Sequence, residues 1–297
     1  MINAHPGLPE FDYIKPESLP EASQFLAEHP SDARPLLGGT DIFVRMRDGF
    51  WKDRFLVDVK GLAGLDQISF DLSSGLSIGA AVNMNQVVAS PEVGEHYPLL
   101  VEAARSVASY QLRNRATVVG NICNASPAGD TIGACLLLDG ILNIHGTDGF
   151  RQAPLGTFFR GPGETVLKPG DIVTSIQFPS STSGRAGKYI KHGRNELSDL
   201  AIVGVTAVGY PDQGAASGYR MRLALASVAP VPLVVKQVET ILSEKAISTE
   251  TLVEASQAAM DACTPIDDTR SSARYRKMMV RNLSLRALQA VWLEIGG

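Results

Sequence analysis

The sequence predicts an α+β chain organised as two domains, and three observations carry that prediction. Its 297 residues correspond to about two domains at roughly 150 residues each. Its second half reads as a block of strands followed by a block of helices, so the two kinds of element are segregated rather than alternating. Between the halves, Pro179-Ser180-Ser181-Thr182-Ser183-Gly184-Arg185-Ala186-Gly187 is small, polar and flexible, the strongest boundary signal in the chain. The expected division is 1–179 and 184–297. A composition of 44% hydrophobic and 20% charged residues belongs to an ordinary globular chain rather than a disordered one.

The elements follow in order. Ser18-Leu19-Pro20-Glu21 reads as a capping box, with Ser18 accepting from the backbone near Glu21 and Glu21 reaching back. Leu19, Ala22, Phe25 and Leu26 then recur on one helical face. A short strand at 34–37 ends at Gly38-Gly39, where Thr40 or Asp41 can cap a helix through Arg47. Strands are expected at 54–59 and 75–81, and a helix at 98–109 with Leu99, Leu100, Ala103, Ala104 and Val107 on its buried side. A dense polar loop, 114–131, precedes a small-residue helix at 132–138. Strands recur through Phe178. Beyond the linker come strands at 188–191, 201–210 and 219–229, an antiparallel sheet, and helices at 233–242, 249–262 and 271–295. There is no internal repeat.

Charge and residue usage exclude several functions. A net charge of −4 argues against a general nucleic-acid binder. Cys123, Cys135 and Cys263 are too few and too scattered for a disulfide framework, which favours a reducing, cytoplasmic setting. Iron–sulfur clusters held wholly by this chain would need about four thiolates. His5, His29, His96, His145 and His192 stand at no metal-ligand spacing. No apolar run approaches the roughly 18 residues of a membrane span, and no basic-then-apolar leader opens the sequence. No nucleophile elbow is expected. Gly161-Pro162-Gly163 begins like a dinucleotide fingerprint, but Val166 stands at its third glycine, so a Rossmann site is rejected.

Two segments point to a phosphate-containing ligand. Leu36-Leu37-Gly38-Gly39-Thr40-Asp41-Ile42 joins a strand to a helix through two glycines, a hydroxyl and a carboxylate, so backbone and free amides can approach a ligand closely. In 116–131, Thr117, Asn121, Asn124, Ser126, Asp130 and Thr131 concentrate short hydrogen-bonding side chains around Gly120 and Gly129, a set of neutral donors suited to a buried pyrophosphate. The plainer alternatives are a strand–helix turn and a self-satisfied polar loop. Asp130 could simply cap the following helix, Lys191 could be a surface lysine at a strand end, and Arg270, Arg274, Arg276, Arg281 and Arg286 could form a solvated or subunit-facing basic face along the last helix.

Together these segments resemble the FAD-binding subunits of molybdenum-containing hydroxylases, the family of the carbon monoxide dehydrogenase medium subunit and the xanthine dehydrogenase flavin domain. The likeness continues through Gln111-Leu112-Arg113-Asn114, Phe159 with Gly161, Gly163 and Thr165, Leu167-Lys168-Pro169-Gly170-Asp171-Ile172, Lys188-Tyr189 with Lys191, Ser198-Asp199 with Ala201, and Tyr275-Arg276 with Arg281. One departure is Val119, where the family's Thr-Val-Gly-Gly-Asn has its first glycine and where a Cβ resists positive φ.

The resemblance implies a two-subdomain FAD-binding fold of the vanillyl-alcohol-oxidase-like type, its subdomains roughly 1–60 and 61–179, without a Rossmann sheet, and a C-terminal domain closing over the isoalloxazine. By residue matching, Leu37, Gly38, Gly39, Thr40, Asp41 and Ile42 meet the pyrophosphate region, as do Thr117, Gly120 and Asn121 from the other side, with Ser126 nearby. Asp130 falls to the ribose–adenine part, and Lys191 and Leu200 to the flavin ring. The implied function is electron transfer. Substrate would be oxidised at a molybdopterin–molybdenum centre on a large subunit. Electrons would then cross two 2Fe–2S clusters on a small subunit to FAD and on to an external acceptor, within a dimer of heterotrimers. A free-standing FAD oxidoreductase and an assembly subunit that has lost FAD are the alternatives.

Overall fold

The computed structural model describes residues 7–195 and 198–296; His5 lies outside them. The first segment is β1 (Asp12–Ile14), α1 (Leu19–Glu28), β2 (Ala33–Leu36), α2 (Ile42–Arg47) and β3 (Phe55–Asp58). Its strands form a parallel sheet in the order β1–β3–β2. Ser18 caps α1, its Oγ accepting from the Glu21 amide at 3.3 Å, but the Glu21 carboxylate takes the Glu17 amide, at 2.7 Å, one residue before the expected partner. The apolar face of α1 works as the periodicity predicts: Ala22 and Leu26 pack with Val57, Val59 and Leu62. At α2 the expected side-chain cap is missing; Asp41 occupies the N-cap in helical conformation, and its carboxylate makes no cap bond.

The middle segment holds β4 (Ile68–Asp71) and β5 (Gly75–Gly79). Six helices come next: α3 (Met84–Ala89), α4 (Pro91–His96), α5 (Pro98–Arg105), α6 (Tyr110–Arg113), α7 (Val118–Cys123) and α8 (Ile132–Leu137). They are followed by β6 (Ile141–Gly146), β7 (Gly149–Pro154), the small pair β8 (Phe159–Gly161) and β9 (Glu164–Thr165), and β10 (Ile172–Phe178). The main sheet is antiparallel in the order β4–β5–β10–β6–β7. Gly75-Leu76-Ser77-Ile78-Gly79 spells a nucleophile-elbow pattern, but it runs straight along β5 with Ser77 paired to Ser69 and Gln177, so no sharp turn presents that hydroxyl. Helix α5 stops at Arg105, short of the expected end. Ala108 has φ 41°, and the Val107 and Ala108 carbonyls accept from Arg113 Nη1 at 2.8 and 3.2 Å instead of closing another helical turn.

The last segment is β11 (Ala186–His192), β12 (Val203–Pro211), β13 (Tyr219–Ala226), β14 (Leu233–Val234), α9 (Lys236–Glu244), α10 (Thr249–Ala262) and α11 (Ala273–Ile295). Its sheet is antiparallel in chain order. The helix expected from residue 233 begins only at Lys236, because Leu233 and Val234 pair with Leu225 and Ala224 and the Val235 amide bonds the Leu223 carbonyl at 2.9 Å. Here tertiary pairing overrides local periodicity. The basic-face reading of the last helix is corrected at two positions. Arg270 lies before α11 and pairs with Asp268 at 2.7 Å. Arg276 is 1% exposed and donates to the Ile202 and Ser227 carbonyls, each at 2.8 Å, and to Asp268 at 2.7 Å. The middle and last segments share a core, since Tyr189, Val208 and Ala224 belong to the cluster formed by Leu100, Ile132 and Phe178.

Candidate functional site

A cleft of about 500 Å³ opens where the three segments meet. Leu37, Gly38, Gly39, Thr40, Asp41 and Ile42 form one wall, running from the end of β2 into α2. Thr117, Gly120 and Asn121 from the start of α7, with Ser126 and Asp130 after it, form the facing wall, and Leu200 reaches in from the β11–β12 connection. Lys191 does not line the cleft; it stands behind the wall, on β11, against Asp130.

The two glycine-containing loops touch each other, and the glycines explain how. A Cβ on Gly38 would lie 2.1 Å from the Arg115 carbonyl oxygen, so only glycine lets the first loop seat against the chain entering α7. Gly39 has φ 73° and a Cβ there would meet the Phe43 ring at 2.7 Å, so it serves both the turn and α2 packing. Across the cleft the expected loop contains the helix α7. Thr117 is its N-cap, its Oγ1 accepting from the Gly120 amide at 2.9 Å. A Cβ on Gly120 would stand 2.9 Å from that same oxygen. Val119, the departure from the family pattern, is an ordinary helical residue whose side chain is 1% exposed in the core. It needs no positive φ, so this departure does not disturb the backbone of the wall.

The polar groups of the facing wall are arranged rather than loose. The Thr131 hydroxyl donates to Asn121 Oδ1 at 2.8 Å, fixing which edge of that amide faces outward. Asn124, also on the wall, keeps a buried Oδ1 without a partner, the kind of orphan that a ligand hydroxyl or N–H would satisfy. Asp41 shows its exposed side to the cleft, yet partial burial pushes its carboxyl above the ordinary value, against the opposing pull of Arg45. Cys123 is desolvated, its thiol pushed up to about 12, so it is no nucleophile.

Among the described residues that line the cleft, Asp130 is the one buried charge. Its Oδ1 accepts from the Tyr189 hydroxyl at 2.6 Å and its Oδ2 from Lys191 Nζ at 2.8 Å. Lys191 Nζ also donates to the Ser106 carbonyl at 3.2 Å. The helix-cap reading of Asp130 fails, because Thr131 is the N-cap of α8 and no side chain caps it. The surface-lysine reading of Lys191 fails too, since its side chain is 10% exposed. Asp130 and Lys191, which the resemblance assigns to the ribose–adenine part and to the flavin ring, are paired at 2.8 Å. Tyr189 went unremarked as a site residue, although residues 189 and 191 share one face of a strand. Arg34 and Trp51 were missed as well: both line the cleft, with the guanidinium 3.8 Å from the indole centroid. Their signal is absent from any local motif, because they sit on separate elements.

Chemically, the cleft offers amides, hydroxyls and carboxamides that can hold an extended, hydroxyl- and phosphate-rich ligand. Among the described residues no group of three or more His, Cys, Asp or Glu side chains could hold a metal ion.

Comparison with known proteins agrees. The FAD-binding domain of molybdopterin dehydrogenases matches residues 9–181, and the carbon monoxide dehydrogenase flavoprotein C-terminal domain matches residues 188–291. The chain is 32% identical to the carbon monoxide dehydrogenase medium chain of Hydrogenophaga pseudoflava, over 96% of this chain and 98% of that one. It is 29% identical to the xanthine dehydrogenase FAD-binding subunit of Escherichia coli O157:H7, over 96% and 97%. A solved structure of the H. pseudoflava carbon monoxide dehydrogenase lacking the Mo-pyranopterin moiety superimposes with a TM-score of 0.92, covering 97% of this chain and 99% of that one at 32% identity.

Proposed function

Since this chain belongs to the FAD-binding subunits of the molybdopterin dehydrogenases, we propose that it is the electron-transferring flavin subunit of a larger molybdenum hydroxylase. The observation that carries the reading is the single cleft in which both glycine-and-hydroxyl loops face each other. FAD fits what the residues present: the ordered amide of Asn121 and the unpartnered oxygen of Asn124, facing a wall held in place by Gly38 and Gly39. In this reading Leu37, Gly38, Gly39, Thr40, Asp41 and Ile42 hold the pyrophosphate from one side. Thr117, Gly120, Asn121 and Ser126 hold it from the other. Asp130, backed by Lys191, and Leu200 serve the nucleotide from the same cleft.

Bound FAD supplies the redox chemistry; the chain supplies placement. The first loop is rigid because its glycines are locked against Arg115 and Phe43, and the second because Thr117 caps α7. Asp130 brings a fixed negative charge to a wall otherwise built from neutral groups. We place residues 1–179 and 184–297 as the two domains, with the division of the first near residue 60. The substrate-oxidising molybdopterin–molybdenum centre is assigned to a large partner and two 2Fe–2S clusters to a small one, in a dimer of heterotrimers. The setting is cytoplasmic; among the described residues no helix is long and apolar enough to cross a membrane.

The test gives the purified single chain the substrate of its native complex and an artificial acceptor. The expected result is no turnover until molybdenum and iron–sulfur subunits are added. Sustained turnover with neither metal detected in the sample would overturn the subunit reading and favour a free-standing flavoenzyme.

A further inference from the structure

The network behind the cleft wall assigns a task to a residue outside the two glycine-containing loops. Asp130 is 6% exposed and Tyr189 is 6% exposed. Each carboxylate oxygen already has one protein donor, Tyr189 on Oδ1 and Lys191 on Oδ2. A carboxylate oxygen has room for a further donor, so both oxygens stay available to a ligand on the cleft side while the carboxylate plane is held from behind. The two donors differ in kind. Lys191 brings charge and is itself tied to the Ser106 carbonyl. Tyr189 brings a neutral hydroxyl at the end of a ring set in the main core.

We propose that Tyr189 is a positioning residue for FAD: by donating to Asp130 Oδ1 from the core, it keeps the Asp130 carboxylate ionised and oriented toward the cleft. The inference rests on the FAD reading above. Its physical basis is a competition. Burial disfavours the ionised Asp130 and pushes its carboxyl up; Lys191 and Tyr189 pull it down, and burial keeps the upper hand. Among the described residues, the charged or titratable groups facing Asp130 are these two, with Ser106 the polar neighbour of Tyr189 and Lys191. Removing the phenol therefore moves the carboxyl further up. As pH falls, Asp130 then takes a proton, loses its charge-assisted hydrogen bonds and leaves Lys191 buried without its counter-ion. The sign is definite: flavin binding by a Tyr189→Phe chain weakens toward acid more steeply than that of the unaltered chain.

The experiment titrates FAD into the apo chain, following the fluorescence of free flavin at about pH 7.5 and about pH 5.5. Far-UV circular dichroism is recorded at both. Tyr189→Phe should bind FAD close to normally at the higher pH and about tenfold more weakly at the lower, the size of one hydrogen bond to a charged group. Asp130→Asn, which cannot ionise, should bind weakly and equally at both, and adding Tyr189→Phe to it should restore no pH dependence. Equal binding by Tyr189→Phe and the unaltered chain at both pH values overturns the proposal, as does a loss of the same factor at both. If Tyr189→Phe fails to fold, Asp130→Asn decides: binding as tight as the unaltered chain shows that the carboxylate does not serve FAD. An unaltered chain that takes up no FAD overturns the flavin reading, and this role with it; tight uptake with a pH-independent Tyr189→Phe overturns this role alone.

Discussion

A methyl group on Gly38 would sit 2.1 Å from the Arg115 carbonyl oxygen, a contact that cannot be relieved by rotating a side chain. Gly38→Ala should therefore part the two walls of the cleft, and flavin content should fall to a small fraction of normal. Gly120→Ala is milder. Its Cβ would meet only the Thr117 hydroxyl, at 2.9 Å, so it should cost about 1 kcal/mol through the lost cap and only partly lower flavin content. Absorbance of bound flavin per chain, read beside thermal unfolding, separates the two; equal flavin content in both variants would contradict the account. The Gly38-Gly39-Thr40-Asp41 wall was legible because glycines and hydroxyls cluster at a strand–helix junction. The lock on Gly38 was not, since Arg115 is distant in sequence. The same holds for Asp130: its short polar context marked it, but its partners Tyr189 and Lys191 lie on β11, about 60 residues away.

The small-residue helix α8 reads as buried from its composition, and all six of its residues are. What the sequence does not disclose is how closely it lies on the last sheet. A Cβ on Gly133 would come within 2.3 Å of Thr206 Oγ1 on β12. Gly133→Ala should destabilise the chain by about 1–3 kcal/mol through overpacking, and Thr206→Ala should recover part of that loss; a stability unchanged by Gly133→Ala would show that the helix can ride outward freely. Helix α11 is fixed by a different device. Arg276 is buried with Asp268 as its acid partner, so Asp268→Asn leaves a buried charge uncompensated and should cost about 3 kcal/mol. Burial disfavours the Asp268 charge, but Arg270, Arg276 and two backbone amides outweigh it and hold the carboxyl well below the usual range. Because the folded value is depressed, this stabilisation is present above about pH 4, the unfolded aspartate value, and is lost as pH falls through the folded one. The gap in unfolding midpoint between the unaltered chain and Asp268→Asn should thus be full near neutrality and shrink in acid. A gap that persists unchanged would mean the carboxylate is not what holds Arg276. Helix α7 illustrates the limit of local reading: six residues containing Val118, Val119 and Gly120 have little intrinsic helical preference, and only the Thr117 cap and burial make them one.

At the scale of the whole molecule, the segregated order of strands and helices and the polar linker outlined the architecture. The cleft is a product of assembly, with walls contributed by the parallel sheet, the helices of the middle segment and the β11–β12 connection. No one segment contains a complete site, which is why binding should depend on all three being folded together. The reading that this assembled cleft holds FAD is tested most directly by purifying the full-length chain, recording its visible absorption and precipitating it with acid. The account predicts flavin bands, about one FAD for each chain, and release of all the flavin into the supernatant, since among the described residues no His lines the cleft and Cys123, on its wall, is held as an inert thiol. A chain that is folded by circular dichroism yet colourless, and stays so after incubation with excess FAD, would contradict it.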